Sequence, residues 1–310
     1  MNITKKIAAV SMVKNESDII ELFIKINSRV FDAFFILDHC STDGTAKIIE
    51  ALQSKGFQIN YTKLSDGAYN QAEITTSAVR HVANLNLFDY IIPIDADEFF
   101  CQKTDLAISE LISSSLTLEE VGHVPWITYC PQSSNYFNSE APLYENFRMR
   151  RIEPIQYYKV ILGNNFAKEC SISMGNHNAT NEKYKFSSSK LLPLPVNHIP
   201  VRSKEQIIRK AILGSYAFAL KKNRNPGEGY HWDLMATKIR ERNYHLDDAD
   251  LLEIALNYAT QDGTALANDL IEDCPRIGNE GDSIEFKELS DINLLKSFDM
   301  EIADLIFRFK

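Results

Sequence analysis

The chain of 310 residues has no Cys-x-x-Cys pair: its five cysteines, Cys40, Cys101, Cys130, Cys170 and Cys274, are odd in number and widely spaced. That pattern speaks against a disulfide framework and against a thiolate zinc site, and it fits a reducing cytoplasm. A basic excess is missing as well. With 33 Lys and Arg against 42 Asp and Glu, the formal net charge of -9 argues against a nucleic-acid surface, which would carry a basic stripe. No apolar run reaches the length of a membrane span, and the first, residues 7–13, is interrupted by Lys14 before signal-peptide length. No Gly-x-Gly-x-x-Gly follows the first predicted strand and no Gly-x-x-x-x-Gly-Lys-Ser/Thr occurs anywhere, so a dinucleotide oxidoreductase and a P-loop enzyme are disfavoured.

What is present is a regular alternation. Residues 7–13 read as a buried strand, 17–30 as an amphipathic helix and 33–38 as a second strand; turn formers and helix-capping oxygens then precede a helix to about residue 55. Residues 58–64 give a third strand, 65–67 a turn, 69–84 a helix and 89–95 a fourth strand. This pace predicts βαβ units and an α/β fold, a mostly parallel sheet flanked by helices. In such a sheet the loops after the strands share one edge, where ligands bind. Those loops carry Asn15 and Glu16, then Asp38 and Asp43, then Asp66, then Asp95, Asp97 and Glu98. Asp95 and Asp97 are separated by one small residue, a spacing that lets a bent loop aim both at one hard cation; an acidic turn capping the next helix is the plainer alternative.

Three stretches carry a resemblance: Val10-Ser11-Met12-Val13-Lys14-Asn15-Glu16, Asp38-His39-Cys40-Ser41-Thr42-Asp43-Gly44-Thr45, and Asp95-Ala96-Asp97-Glu98-Phe99. In order and separation they resemble the landmarks of family 2 glycosyltransferases with the GT-A fold, over roughly the first hundred residues. The resemblance implies a nucleotide-sugar donor held at the strand ends, with Ser11, Val13, Asn15, Glu16, Asp38, Asp43 and Asp66 as nucleotide-binding residues. It also implies Asp95 and Asp97 on a divalent cation, Mn2+ or Mg2+, that bridges the donor diphosphate. Where many members carry two acids in the second loop, this chain has Asp38-His39-Cys40-Ser41, which leaves the nucleotide open. Lys159-Val160-Ile161, Gly175-Asn176-His177 and His198-Ile199-Pro200-Val201-Arg202-Ser203 are more loosely similar to a branch of the same superfamily found in bacterial surface-glycan clusters.

The expected organisation is a glycosyltransferase domain over 1–200, with a nucleotide-sugar half at 1–100 and an acceptor-shaping half at 101–200, followed by a helical C-terminal region at 201–310. Residues 250–258 and 292–309 read as amphipathic helices packed on the core. His198 and His177 each lie beside Asn in a loop and are candidates for a further metal ligand, which would tilt the choice towards manganese; a structural hydrogen-bonding role is the alternative. Arg202 opens a helix and offers forked donors to a diphosphate. For the catalytic base, which should come from the acceptor side, the candidates are Asp233, in Tyr230-His231-Trp232-Asp233 after a breaker at 223–229, and Glu169. The expectation is a metal-dependent, inverting glycosyltransferase acting on a glycan or lipid-linked glycan acceptor in surface polysaccharide synthesis, in the cytoplasm or peripheral at the inner membrane face. The alternatives are a sugar-nucleotide pyrophosphorylase and a catalytically inactive glycan-binding or scaffold protein of the same fold.

Overall fold

Along strand β1 (Ile7–Val13) alternate side chains go to opposite faces of a sheet that is covered on both. Ile7 and Ala9 enter a core with helices α1 (Ile20–Asn27) and α2 (Thr45–Ser54), whereas Ala8 and Val10 enter another with α3 (Gln71–Asn84). Burial on both sides is why the strand is apolar throughout rather than alternating. The computed structural model describes residues 5–65, 70–100, 108–131, 145, 147–184, 189–219, 224–260, 269–273, 284–286, 296 and 299–300.

Strands β2 (Ala33–Asp38), β3 (Ile59–Lys63) and β4 (Tyr90–Pro93) join β1 in parallel in the order β3-β2-β1-β4, as the alternating pattern predicts. Val13 lies opposite Asp38 and Val10 opposite Pro93, so the polar loops leave the sheet at one edge. Beyond β4 the sheet continues antiparallel through β8 (Tyr158–Gly163), β6 (Val121–Cys130), β7 (Met149–Arg151) and β13 (Leu270–Glu272). The whole is therefore a mixed sheet with a parallel first half. Short strands β9 (Ser171–Ile172), β10 (Ala179–Thr180) and β11 (Lys190–Leu191), and helices α4 (Ile108–Ser115) and α5 (Asn164–Ala167), complete the second half.

One small pairing decides where the site lies. Strand β5 (Glu98–Phe100), which follows the two acids, pairs antiparallel with β12 (Val196–His198), and β12 runs parallel to β6. The register sets His198 opposite Glu98, so the histidine arrives beside the acidic turn.

After β12 the chain becomes helical: α6 (Lys204–Ala219), α7 (Tyr230–Glu241) and α8 (Asp248–Leu256) share a third core around Ile207, Ile212, Ala236, Ile239 and Leu251. The amide of Gln206 donates to Ser203 Oγ at 3.1 Å, the cap expected at the start of α6, and its side chain accepts from the Arg202 amide at 3.1 Å. Tyr230 to Asp233 form the first turn of α7, where a closing loop was expected. The expected helix at 292–309 lies outside the described residues except at 296, 299 and 300. Among the described residues no helix is long and apolar enough to cross a membrane.

Arg151 fastens the helical region to the sheet. Its guanidinium, 1 % exposed, pairs with Glu153 at 2.7 Å and donates to the carbonyls of Leu256 and Tyr258 at 2.9 and 2.8 Å, groups that the end of α8 leaves without helical partners. Removing one member of a buried pair strands the rest, so Arg151→Met is expected to lower the unfolding free energy by about 3–5 kcal/mol. Urea denaturation measures this, and a loss below about 1 kcal/mol, the scale of an exposed ion pair, would contradict the role.

Candidate active site

The loops after β1 and β2 are built to hold one another. Asn15 takes a left-handed backbone (φ 55°), which asparagine tolerates better than most residues. In that pose its Oδ1 accepts from the amide of Thr42 at 2.7 Å and its own amide donates to Ser41 Oγ at 2.9 Å. The Glu16 amide donates to Thr45 Oγ1 at 2.9 Å and the Ser17 amide to Asp43 Oδ2 at 3.2 Å. Asp43 caps α2 by accepting from the Thr45 amide at 2.9 Å. Arg209 of α6 reaches over both loops, donating to the Asn15 carbonyl at 3.1 Å and standing 3.4 Å from Asp43.

The acidic turn after β4 is surrounded by cations. Lys159, in the middle of the apolar strand β8 and 2 % exposed, places its ammonium 2.7 Å from Asp95, from Glu98 and from the Gly175 carbonyl. Gly175 turns with φ 71°, and a Cβ there would come within 2.7 Å of the His177 ring. Asp97 accepts from Lys210 at 2.7 Å and has Arg202 and His198 Nε2 each at 3.7 Å. Arg202 is 1 % exposed and almost saturated by protein acceptors: Asp18 at 2.7 and 3.1 Å, Glu16 at 2.6 Å and the Ile199 carbonyl at 3.1 Å.

These neighbours set the charges. Burial pushes the Asp97 carboxyl up, but Lys210, His198 and Arg202 together hold it well below the usual carboxylate range. Glu98, fully buried, is pushed up to about 8 by burial against the pull of Lys159. Burial lowers His198 to about 4 against the pull of Asp97, and it lowers His177 to about 4 with Lys159 adding to the effect, so both imidazoles are neutral near pH 7. Six carboxylates (Glu16, Asp18, Asp43, Asp95, Asp97 and Glu98) thus meet four cations (Lys159, Arg202, Arg209 and Lys210), an excess of two acids. With Glu98 protonated, one negative charge is left over.

A cleft of about 340 Å³ opens over this edge, lined on one side by Asn15, Glu16, Asp95 and Asp97 and on the other by Trp126, His177, Trp232 and Tyr258. The Trp126 and His198 rings lie 4.1 Å apart, and His177 sits 5.0 Å from Tyr157. Asp97, Glu98 and His198 each bring a potential ligand atom within 4.8 Å of the others. The Nδ1 of His198 is buried without a hydrogen-bond partner. A neutral imidazole, an ionised carboxylate and a surplus negative charge form a donor set that fits a hard or borderline divalent cation.

Comparisons with known proteins come from structure alone. No family model matches the chain, and no curated protein matches it in sequence. Among solved structures it is similar to Staphylococcus aureus TarS 1–349, at 13 % identity over 82 % of this chain and 76 % of that one, TM-score 0.41. It is also similar to the mannosyltransferase PcManGT from Pyrobaculum calidifontis in complex with GDP-Man and Mn2+, at 11 % identity over 84 % and 77 %, TM-score 0.41. GalNAc-T7 with UDP, GalNAc and Mn2+ matches at 10 % identity over 76 % and 55 %, TM-score 0.39.

The residues singled out from the sequence divide into two groups. Val13, Asn15, Glu16, Asp95, Asp97, His177 and His198 all line the cleft. Ser11 and Asp38 are fully buried away from it, and Asp38 accepts from the Ser41 amide at 2.7 Å and from Tyr61 at 2.6 Å. Arg202, expected to face a diphosphate, is turned inward because Asp18 and Glu16 meet its fork first. Asp66 lies outside the described residues. The cleft does not include Asp233, which accepts from Ser215 and Arg224 at 2.6 Å each, or Glu169, which is exposed and whose carbonyl faces Arg80. The sequence reading passed over Lys159, Arg209 and Lys210. A lysine inside an apolar strand was the available signal for the first.

His177 gives a pH test. Its Nδ1 lies 2.9 Å from the Tyr158 carbonyl and its folded-state value is about 4, against 6.5 for the free side chain. As pH falls from 6.5 to 4 the unfolded chain takes up this proton and the folded chain does not, so stability present above pH 6.5 is lost on acidification, by up to ~3 kcal/mol. Urea midpoints between pH 7 and pH 4.5 should therefore fall more steeply for the wild type than for His177→Gln. Parallel falls would contradict the assignment.

Proposed function

We propose that this chain is a GT-A-type glycosyltransferase that moves a sugar from a nucleotide-diphosphate donor to a hydroxyl acceptor, with a divalent cation held at Asp97 and His198. The observation that carries the reading is the charge of the cleft. Loops from separate strands converge there, the acids outnumber the cations, and an anionic diphosphate alone would be repelled. A cation that brings the diphosphate with it removes that repulsion. When bound, such an ion neutralises negative charge that grows on the leaving diphosphate.

The chain's own groups do the rest. Asn15 and Glu16 form the floor under the nucleotide, held by the ties to Ser41 and Thr45. Glu98, behind Asp97 and fully buried, keeps the Asp95 amide oriented through a 3.1 Å bond to its Oε2. Trp126, Trp232 and Tyr258 give the other wall flat apolar faces of the kind that pack on a sugar ring. In this reading residues 1–100 serve the donor, 101–200 shape the acceptor side and the helices after 200 close the cleft. Manganese, an inverting outcome and a glycan or lipid-linked glycan acceptor in surface polysaccharide synthesis at the cytoplasmic face belong to the same proposal.

The test is nucleotide-sugar turnover. Incubated with manganese and a panel of nucleotide sugars, the protein should release a nucleoside diphosphate from one of them, and chelation should stop the release. Asp97→Asn should lower that rate at least ~100-fold, the scale on which loss of one electrostatic stabiliser acts. Full activity in a folded Asp97→Asn protein would overturn the reading, and nucleoside triphosphate formed on adding pyrophosphate would assign the pyrophosphorylase alternative instead.

A further inference from the structure

Two cations stand against Asp97, and they differ in how they are held. Arg202 has Asp18, Glu16 and the Ile199 carbonyl as partners and is 1 % exposed, so it has no freedom to leave. Lys210 has Asp97 at 2.7 Å and Glu16 at 3.7 Å, its side chain is 23 % exposed, and it lines the cleft. Its ammonium lies on Asp97 Oδ2 while His198 Nε2 stands 3.7 Å from the other oxygen, Oδ1. Lysine is a compact charge on a flexible stem, and its chain rises from α6 one turn after Gln206 and directly after Arg209, which is tied down on the Asn15 carbonyl. The helix is thus fixed while the ammonium at its next position is free to swing.

We propose that Lys210 is the resident counter-ion of the cation position: it neutralises Asp97 in the empty site, is expelled when a divalent cation takes the carboxylate, and then turns to the diphosphate of the donor. The inference rests on the metal-dependent reading above. Its physical basis is that an ammonium and a divalent ion cannot share Asp97 without strong repulsion, while a diphosphate arriving with the ion offers the displaced ammonium a new partner. Lys210 thereby links metal and nucleotide, since each helps the other to bind by accepting or releasing the same side chain.

The roles predict opposite signs, which a purely structural lysine would not give. Without its competitor, Lys210→Met should bind manganese alone more tightly than the wild type, by about tenfold or more. The same variant should bind UDP or GDP more weakly in saturating manganese, by about tenfold, because the phosphate has lost its partner. Calorimetric titration of manganese, then of each nucleotide in manganese, reads both values on protein whose circular dichroism matches the wild type. Lys210→Gln serves the same purpose if the methionine variant does not fold. A wild type that binds manganese while both substitutions leave its affinity unchanged or reduce it overturns the role of Lys210 alone. Absence of manganese binding in the wild type and in both variants overturns the metal reading, and this inference with it.

Discussion

The buried guanidinium of Arg202 is the interaction on which the arrangement depends. It draws Glu16 and Asp18 from the loop after β1, the Ile199 carbonyl after β12 and, at 3.7 Å, Asp97 from the turn after β4 onto one planar group at the start of α6. Desolvating that many charges costs several kcal/mol per ion, which only well-placed partners offset. The consequence is geometric as much as energetic. The helical region cannot shift without uncovering Arg202, so α6 stays fixed over the strand ends and carries Arg209 and Lys210 to the cleft.

A second buried cation does the same for the other half of the sheet. Lys159 joins the acidic turn to β8 and, through the Gly175 carbonyl, to the loop that holds His177. The Trp126 ring lies 5.6 Å from its ammonium, an attraction that also holds the indole beside His198. The Asp-x-Asp pair is therefore split in function. Asp95 is engaged by the protein's own lysine, and Asp97 is shared between a fixed arginine and a lysine that can leave. A close spacing in sequence has become two environments, which is how neighbouring carboxylates come to do different work.

The donor half was legible in the sequence because its strands are buried on both faces and its helices follow the apolar period. β1 and β2 lie at the expected residues, 7–13 and 33–38, and the acids at the end of β4 lie at the cleft. The tie between the first two loops was hidden, since Asp43 and Asp38 look the same in sequence whether they face a ligand or a neighbouring amide. Arg202 was misread for a related reason: a fork that suits a diphosphate suits two carboxylates equally well, and only the fold brings Asp18 within 2.7 Å. Lys210 and Lys159 were invisible because their partners lie 113 and 64 residues away. Tyr230 to Asp233 were taken for a loop after a Gly-rich breaker, yet Gly229, with φ 68°, turns the chain straight into α7.

The central claim is that a divalent cation sits on Asp97 and His198 and holds a nucleotide diphosphate over Asn15 and Glu16. Crystals grown with manganese and a nucleoside diphosphate, measured at the manganese absorption edge, test it most directly. The account predicts one anomalous peak within coordination distance of an Asp97 oxygen and His198 Nε2, about 2.0–2.2 Å by analogy with other divalent ions, with the diphosphate on its far side. A peak elsewhere, or an ordered nucleotide in the cleft with no metal beside Asp97, would contradict it.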